Sequence, residues 1–431
     1  MADHTLLTPD EIAKEALRLL TNNLVMGGLV YRDYETEFPG MPKKGGIVDI
    51  RKPVKFKVAK TRVRSTKTIT EQYIQLQVAT QAHVSWNFYS VDLTLTIEQY
   101  SERYIRPAAA ALANQIDADL LALYEDVPNQ MNESSGMVTP HTFVVLGNTM
   151  QKLDEGAVPP DDRVIVLNPA AHWAMASALS NWNWKEGGEM ALRKGFLGQI
   201  AGADIFMDQN VKLHTTGLYA TDSAGASSNR IAVHTTADSV SGAGLPSGIG
   251  AAASQNQCIL VNGINATSGS TALQKGDVFT ITGCNTVNPM SGESLGTLRQ
   301  FVVTSDVVGE TESTDSDTVS VYFYPDMLNT GPYKTVDTIP AVAATILVVG
   351  AQNAGYPQNL AFHRNAFALC MVPIVVPDGV WSASATEDGI SIRVVKQYDI
   401  DEDDEIIRMD ILYGVKSIYP DMACRIWGAE Q

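Results

Sequence analysis

Residues 96–126 read TIEQYSERYIRPAAAALANQIDADLLALYED, and the fold prediction depends on this stretch. Apolar side chains recur in it at intervals of three or four residues, at Ile105, Ala109, Leu112, Ile116, Leu120 and Leu123. This spacing aligns them in one stripe and predicts a long amphipathic helix. Proline is tolerated only in a first turn, so the helix either begins at Pro107 or bends just before it. We expect this helix to be a spine whose striped face is covered by other layers.

The composition is that of a folded protein. Its 431 residues suffice for two or three domains, and 45% hydrophobic with 18% charged residues argues against a disordered chain. No run of about 18 apolar residues occurs, and the N-terminus lacks the basic start and apolar core of a signal peptide. We therefore expect synthesis in the cytosol and no membrane span. Cys258, Cys284, Cys370 and Cys424 form no CxxC pair and are expected to be buried thiols rather than disulfides or metal ligands.

Charge is unevenly distributed along the chain. The net charge is −17, yet residues 43–67 contain ten lysines and arginines and one acid, Asp49. The acidic remainder argues against a dedicated nucleic-acid binder, because exposed carboxylates repel phosphate. A basic segment and an acidic tip at residues 399–405 could instead meet between copies of the chain. The candidate contact residues are Lys55, Lys57, Lys60, Arg62, Arg64, Asp401, Asp403, Asp404 and Glu405.

The N-terminal quarter is predicted to extend away from a core. Thr8 to Glu11 form a capping box with proline at the first helical position, which predicts a helix over residues 9–23. The irregular sequence that follows indicates that residues 1–40 are an arm that rests on neighbouring copies. Residues 45–94 alternate with period two, as in a β-hairpin. A two-stranded hairpin is marginal alone, so it too should lie on another copy.

The rest of the chain mixes helices and strands around an all-β segment. Short β-branched runs at residues 138–146 and 164–167 predict strands, and helical patterns lie between and beyond them. Residues 216–355 are rich in Ser, Thr, Gly and Asn, which indicates an inserted β barrel or sandwich. Six strand candidates occur in this segment: RIAVH, QCILV, DVFTITG, RQFVVT, VSVYFY and TILVV. Residues 390–414 predict a long hairpin with an acidic tip.

No catalytic motif is present in the sequence. A near-match to the dinucleotide fingerprint at residues 248–253 has no strand before it and is better explained as a flexible loop. His363 could serve as a base, although a buried or interface histidine is the commoner case. The acids at residues 399–405 could bind Ca²⁺, but they lack the glycine and spacing of a calcium loop, so a solvated hairpin tip is the better explanation. We therefore predict neither enzymatic activity nor a cofactor.

Several motifs, taken in order, resemble the major coat proteins of tailed double-stranded-DNA bacteriophages, and in particular the subgroup with an inserted β domain. The matching motifs are YIRPAAAALANQIDADLL, VLNPAAHWAMASAL, GFLGQIAGADIFMDQNV, KGDVFTITGCNTVNP, LRQFVVT, NLAFHRNAFAL and SIRVVKQYDIDEDDEIIRMDILYG. They cover the chain from about residue 95 to its end, while the N-terminal quarter fits in layout only. Pro107 departs from a single unbroken spine helix, unless the helix begins there.

The resemblance implies an α+β fold with seven segments. These would be an N-arm at 1–40, an extended E-loop at 41–93, a peripheral domain with the spine helix at 94–149, a first axial part at 150–215, the inserted β domain at 216–355, a second axial part at 356–395, and a peripheral hairpin with the C-terminus at 396–431.

The resemblance also implies a shell-forming function. Pentamers and hexamers of the chain would build an icosahedral head that encloses double-stranded DNA without sequence specificity, together with a portal protein. Because the chain begins at Met1, we expect no cleaved propeptide, which implies a separate scaffolding protein. The protein would be assembled in the bacterial cytoplasm and reside in the virion.

Two other classes of protein remain open at this point. A nanocompartment shell of related fold would enclose an enzyme, although a large inserted domain is unusual there. A surface adhesin would use residues 216–355 to bind a ligand, although the missing signal peptide argues against it. A hydrolase has the least support, because no pair of nucleophile and base can be named.

Overall fold

The structure is a computed structural model of the whole chain. It describes residues 9–33, 46–56, 62, 71, 73–89, 104–133, 139–180, 197–219, 231–233, 240–241, 258–262, 271–308, 319–377, 379–387, 389–399 and 404–428.

The described residues contain five α-helices and 24 strands. The helices are α1 (Pro9–Asn23), α2 (Met26–Leu29), α3 (Arg106–Leu121), α4 (Phe143–Glu155) and α5 (Pro169–Ser180). The strands are β1 (Ile47–Arg51), β2 (Tyr73–Gln77), β3 (Thr80–Tyr89), β4 (Gln130–Asn132), β5 (Arg163–Leu167), β6 (Gln199–Ile200), β7 (Ala203–Met207), β8 (Leu213–Thr215), β9 (Ala232–Val233), β10 (Val240–Ser241), β11 (Cys258–Asn262), β12 (Thr271–Leu273), β13 (Val278–Val287), β14 (Ser294–Val303), β15 (Val307–Val308), β16 (Val319–Tyr324), β17 (Ile346–Val348), β18 (Gly355–Pro357), β19 (Asn359–His363), β20 (Phe367–Met371), β21 (Trp381–Glu387), β22 (Ile390–Asp399), β23 (Asp404–Ser417) and β24 (Ala423–Trp427). The predicted α+β class is confirmed.

The chain divides into two compact units. Unit 1 comprises Met1–Ile50, Gln75–Ala122 and Phe367–Ile418, and unit 2 comprises Arg51–Ile74, Leu123–Ala366 and Tyr419–Gln431. This division differs from the sequence-based boundaries, because residues 367–395 lie with the spine helix and residues 123–149 lie in unit 2. Hydrogen bonding explains the first difference, since β20, β21 and β22 belong to the same sheet as β23.

Unit 1 is a five-stranded antiparallel sheet with helices against it. The strands run in the order β20-β23-β22-β21, and β3 pairs with β23 through ten residues. The spine helix α3 begins at Arg106 with Pro107 in its first turn, and the predicted stripe from Ile105 to Leu120 is buried. Residues 96–103 lie outside the described part. Proline fits this position because the amide hydrogen it lacks has no partner in a first turn.

Helix α1 occupies the predicted residues but not the predicted environment. It packs on α3, β21 and β22 of its own chain. Its buried residues Ile12, Ala13, Ala16, Leu17 and Leu20 form one face. The expectation that this helix rests only on neighbouring copies is therefore wrong, because its apolar face is already covered within unit 1. Residues 34–45 lie outside the described part of the chain.

The hairpin expected at residues 45–94 is divided between two sheets. β1 and β2 form a two-stranded ribbon, whereas β3 joins the sheet of unit 1. The long hairpin predicted near the C-terminus is present, with β22 and β23 paired in antiparallel register from Arg393–Asp410 to Asp399–Asp404.

Unit 2 contains a mixed six-stranded sheet in the order β4-β24-β19-β5-β7-β6. Helices α4 and α5 cover one face of it with an apolar core that includes Leu146, Leu153 and Met175. The strand predicted at 164–167 is confirmed as part of β5. The strand predicted at 138–146 is wrong, because Phe143–Glu155 is helical. Side chains at intervals of three or four residues along this helix are buried in the core. This packing outweighs the β preference of Val144 and Val145.

The described residues between 231 and 348 form a β barrel in unit 2. Its strands run β9-β11-β16-β14-β13-β17, all antiparallel. A bridge between Ala232 and Thr345 then returns from the β17 end to β9, supported by a hydrogen bond from Ile346 N–H to the Ile231 carbonyl oxygen at 2.9 Å. All six strand candidates of the sequence are confirmed. β10 is a seventh strand of this sheet and pairs with β11 next to β9.

The barrel interior is filled by side chains. Phe279, Phe301 and Phe323 come from the neighbouring strands β13, β14 and β16, and their ring centroids lie 5.4–6.1 Å apart. The rest of the core is aliphatic, including Val233, Ile259 and Ile281 among others. The chain enters and leaves the barrel through β8 and β18, which pair antiparallel. Its entry and exit are therefore adjacent.

Candidate assembly surfaces

The basic segment lies on and beyond the β1–β2 ribbon. Each ribbon strand has only one buried residue, Ile50 in β1 and Leu76 in β2. The remaining surface exposes apolar groups, with Ile47 46% and Tyr73 47% accessible, and Phe56 beyond β1 is 75% accessible. Such a ribbon is an incomplete layer, because two strands with one apolar residue each bury too little surface for independent stability.

The predicted basic contacts are partly within the described residues. Lys55 and Arg62 are exposed, whereas Lys57, Lys60 and Arg64 lie outside the described part. The Lys55 backbone N–H donates a hydrogen bond to the Tyr333 hydroxyl at 3.3 Å. This contact attaches the end of the ribbon to the barrel and leaves the Lys55 ammonium group in solvent.

The predicted acidic contacts have a different environment. Asp404 is buried in β23, and its Oδ2 accepts a hydrogen bond from the Asn87 amide at 2.9 Å. Glu405 forms an ion pair with Lys396 on the adjacent strand β22. Both side chains therefore have partners in their own subunit. Asp401 and Asp403 lie outside the described residues.

A buried charge cluster lies on the unit 1 sheet. Asp410 is completely buried and accepts hydrogen bonds from Arg393 Nη2 at 2.6 Å, Arg408 Nε at 2.7 Å and Gln81 Nε2 at 3.3 Å. Burial opposes ionisation, but the two arginines outweigh it and lower the pKa of Asp410 below its usual value. Arg393 Nη1 also donates to the Val375 carbonyl oxygen at 2.7 Å. The cluster joins β3, β22, β23 and the 372–377 loop.

A second polar cluster joins the barrel to the rest of unit 2. The Tyr124 hydroxyl lies 3.1 Å from His214 Nδ1, and His214 Nε2 lies 2.9 Å from Asp277 Oδ1. Asp277 Oδ2 accepts the Gly217 N–H at 3.0 Å and the Gln274 N–H at 2.8 Å. Burial raises the pKa of Tyr124 to about 12, so it remains a neutral phenol. These hydrogen bonds connect Tyr124, which precedes the barrel, through His214 at the barrel entry to Asp277 within it.

Further contacts extend this junction. Gln300 of β14 makes two hydrogen bonds with the backbone of Gln130, donating to its oxygen and accepting from its N–H, each at 2.9 Å. Arg299 forms an ion pair of 2.7 Å with Asp421, which also accepts a hydrogen bond from the Tyr324 hydroxyl at 3.2 Å. The barrel is therefore attached through several directional contacts rather than a flexible linker.

His363 and the cysteines, which the sequence offered as candidates for catalysis or metal binding, lie in environments typical of structural residues. His363 is buried, burial lowers its pKa, and its Nδ1 accepts the Asn365 N–H at 3.2 Å. Cys284, Cys370 and Cys424 are buried thiols, as predicted, whereas Cys258 at the start of β11 is only partly buried. Within the described ranges, no three His, Cys, Asp or Glu residues converge as a metal site. No helix of the described part is long and apolar enough to cross a membrane.

Sequence reasoning missed Asp117, a buried acid on the spine helix. Its carboxylate accepts the backbone N–H groups of Val25 and Gly27, each at 2.8 Å, at the start of α2. The available signal was an acid within one turn of Ile116 and Leu120 in an apolar stripe, because a buried carboxylate requires donors. Asp117 attaches the segment after α1 to the spine.

Replacing Asp117 by alanine is expected to destabilise that attachment by about 2 kcal/mol, because two backbone amides lose their acceptor. Hydrogen–deuterium exchange of residues 12–30 should become faster while the barrel strands keep their protection. Asp119→Ala is not a suitable control, since Asp119 accepts a hydrogen bond from Tyr413. Lys14→Ala on the exposed side of α1 is suitable, and equal exchange in both variants would contradict the assignment.

Comparison with known proteins agrees with this arrangement. The family model described as "P22 coat protein - gene protein 5" matches residues 10–428. A curated "Major capsid protein" from Acyrthosiphon pisum secondary endosymbiont phage 1 is 27% identical over 164 residues, which are 36% of this chain and 38% of the relative. The matched region thus spans about two-fifths of that relative's length.

Solved phage capsids show a distant similarity. The Mycobacterium phage Che8 structure is 15% identical, with 94% of this chain and 90% of that chain covered and a TM-score of 0.46. The mature capsid of bacteriophage PhiM1 is 10% identical, with 95% and 88% covered and a TM-score of 0.45.

The class of protein is given by the family model, which describes a coat protein. The family match extends over nearly the whole length of the sequence. The chain belongs to the P22 coat protein family. It is accordingly a phage major capsid protein, a component of the virion head.

Proposed function

We propose that this chain assembles into pentamers and hexamers of an icosahedral head that encloses double-stranded DNA without sequence specificity. The family match over residues 10–428 is the observation that carries this proposal. A scaffolding protein guides assembly and a portal protein occupies one vertex. The net charge of −17 suits a container, because an acidic wall does not retain phosphate.

The proposal assigns a role to each part of the chain. Residues 1–40 are the N-arm, of which α1 rests on its own spine helix. The E-loop comprises residues 41–93, and β3 anchors it in the unit 1 sheet. Residues 216–355 are an inserted domain that stabilises the subunit or its neighbours. The paired strands β8 and β18 support this last assignment, because the flanks of an insertion should meet.

A neighbouring subunit is the partner that suits the β1–β2 ribbon. Its exposed apolar side chains need a cover, and its basic residues need an acidic partner. Lys55, Lys57, Lys60, Arg62 and Arg64 supply the positive charge. Asp401 and Asp403 are the acidic partners, whereas Asp404 and Glu405 act mainly by holding the tip of the β22–β23 hairpin in place.

Electron microscopy of the purified protein, with and without a scaffolding protein, tests the main proposal. We expect closed shells or ring-shaped capsomers. Soluble monomers under all salt conditions, with scaffold supplied, would overturn it.

Reversing Lys55, Lys57, Arg62 and Arg64 to glutamate should reduce shell yield by about tenfold or more. Each exposed ion pair contributes at most about 1 kcal/mol, but several act together on register and association rate. The melting temperature of the monomer should remain unchanged, because the described members of this set are exposed. The yield is measured by sedimentation and electron microscopy.

A charge-matched control distinguishes this contact from a general effect of net charge. Lys14 and Lys416 are exposed on unit 1, so Lys14→Glu with Lys416→Glu is compared with Lys55→Glu with Arg62→Glu. Equal shell yields in both pairs would exclude the electrostatic contact while leaving the coat function intact.

A further inference from the structure

The last strand of the six-stranded sheet has two faces of opposite character. Cys424 and Ile426 of β24 point into the apolar core beneath α4 and α5. Because side chains alternate along a strand, Arg425 and Trp427 point to the opposite face, towards the barrel. Both are almost completely buried, at 0% and 1% exposure. A charged group and an indole are thus enclosed where the barrel joins the sheet.

Four buried side chains on this face have polar atoms without a hydrogen-bond partner in the described structure. Gln130 lies opposite Arg425 in the β4–β24 register, and Gln358 falls opposite Trp427, since the next residue Asn359 pairs with Ile426. All four are therefore adjacent on one face. The atoms without a partner are Arg425 Nε and Nη2, Trp427 Nε1, Gln130 Nε2 and Oε1, and Gln358 Oε1.

The surrounding groups are polar and already engaged. Arg425 Nη1 donates to the Gly276 carbonyl oxygen at 2.7 Å, and its Cζ lies 5.8 Å from the Tyr124 ring centroid. The Trp427 indole stacks on Tyr356 with centroids 4.7 Å apart. These contacts hold both side chains in place, so neither can turn outward to find a partner.

The mixture of donors and acceptors decides which ligand fits. A buried polar atom without a partner carries a large free-energy penalty, so six together require something that pairs with them. An anion would suit the arginine and indole donors but would repel the two glutamine oxygens. Water donates and accepts, and it typically makes about three hydrogen bonds in such sites.

We propose that the barrel-facing side of β24 and β4 encloses a site for ordered water, bound by Gln130, Gln358, Arg425 and Trp427. The site lies between the sheet and the barrel, so the bound water is part of the joint between them. The attachment of the barrel then depends on a shared hydrogen-bond network in addition to the direct contacts.

Methionine substitutions distinguish a hydrated site from a dry one by the sign of the effect. Methionine has nearly the volume of glutamine but cannot bind water well. If water is bound, Gln358→Met and Gln130→Met each lose hydrogen bonds, and the melting temperature should fall by about 2 °C or more. If the site is dry, Gln130→Met removes two unpaired polar atoms and the melting temperature rises. Gln358→Met also loses the hydrogen bond from its Nε2 to the Tyr356 carbonyl oxygen at 3.1 Å, so Gln130→Met is the deciding variant. Gln352→Met, at an exposed turn of unit 2, is the matched control.

An unchanged or higher melting temperature for Gln130→Met would overturn the proposal. A direct test uses the native protein in assembled shells, imaged at a resolution where ordered water is visible. We expect solvent density within hydrogen-bond distance of Arg425 Nη2 and Trp427 Nε1. Side-chain density filling that space, or density for an anion in place of water, would refute the assignment even if a variant failed to fold.

Discussion

Replacing Asp410 by asparagine is expected to lower the free energy of unfolding by about 2–3 kcal/mol. The substitution keeps the shape but removes the charge that pairs with Arg393 and Arg408. Breaking a fully buried ion pair usually costs more, about 3–5 kcal/mol. The loss is smaller here because Arg408 is partly exposed and can regain solvent. Denaturant unfolding followed by tryptophan fluorescence measures the change.

The same substitution should change how stability depends on pH. The pKa of Asp410 is lower in the folded protein than in the unfolded chain. Its contribution is therefore fully present above the unfolded value of about 4 and is lost as pH falls through the folded value. The native protein should lose stability on acidification below about pH 4 more steeply than the Asp410→Asn variant.

Glu387→Gln provides the control, because Glu387 is exposed at the end of β21 in the same sheet. It should change the free energy of unfolding by less than about 0.5 kcal/mol at neutral pH. An Asp410→Asn variant as stable as this control, with the acid limb of its pH profile unchanged, would show that the cluster contributes little.

Replacing Gly217 by alanine is expected to cost about 3 kcal/mol. A Cβ at this position would lie 2.2 Å from the Ala272 carbonyl oxygen and 2.7 Å from its carbonyl carbon. These are backbone atoms that cannot rotate away, so the two segments must separate. Separation would also stretch the hydrogen bond from Gly217 N–H to Asp277. This bond joins the barrel to the segment that leads into it. Thermal unfolding should show the loss.

Gly147→Ala is the matched control, because nothing lies within 4 Å of a Cβ built there and the residue is inside α4. Alanine should stabilise this helix by about 0.5–1 kcal/mol. If Gly217→Ala were as stable as Gly147→Ala, the close approach between residues 217 and 272 would not exist in solution.

Local structure was predictable where one residue pattern dominates. The helix at residues 9–23 follows from its capping box, and the start of the spine follows from Pro107, because both signals act within one turn of helix. The six barrel strands were likewise visible as β-branched runs between turn residues. The strand prediction at 138–146 was wrong for the opposite reason. Its residues suit a helix or a strand, and tertiary packing favours the helix.

The candidate sites were less predictable. Charge patterning identified the basic segment, and Lys55 and Arg62 are indeed exposed. It could not identify Asp117, Asp410 or Arg425, which are single charged residues within apolar patterns. Their importance depends largely on partners that are distant in sequence, such as Val25 for Asp117, Arg393 for Asp410 and Gly276 for Arg425. Asp404 and Glu405 show the converse, because a run of acids suggested solvent while the strand pairing supplied partners.

The sequence by itself determined most helix and strand positions, the uneven charge and the resemblance to phage coat proteins, because these depend on residue order and composition. The tertiary structure alone decided which surfaces are left uncovered. Helix α1 has the apolar face of an arm that needs a neighbour, yet it packs on α3 of its own chain. An apolar stripe specifies that a face must be buried, but only the three-dimensional arrangement specifies which surface buries it.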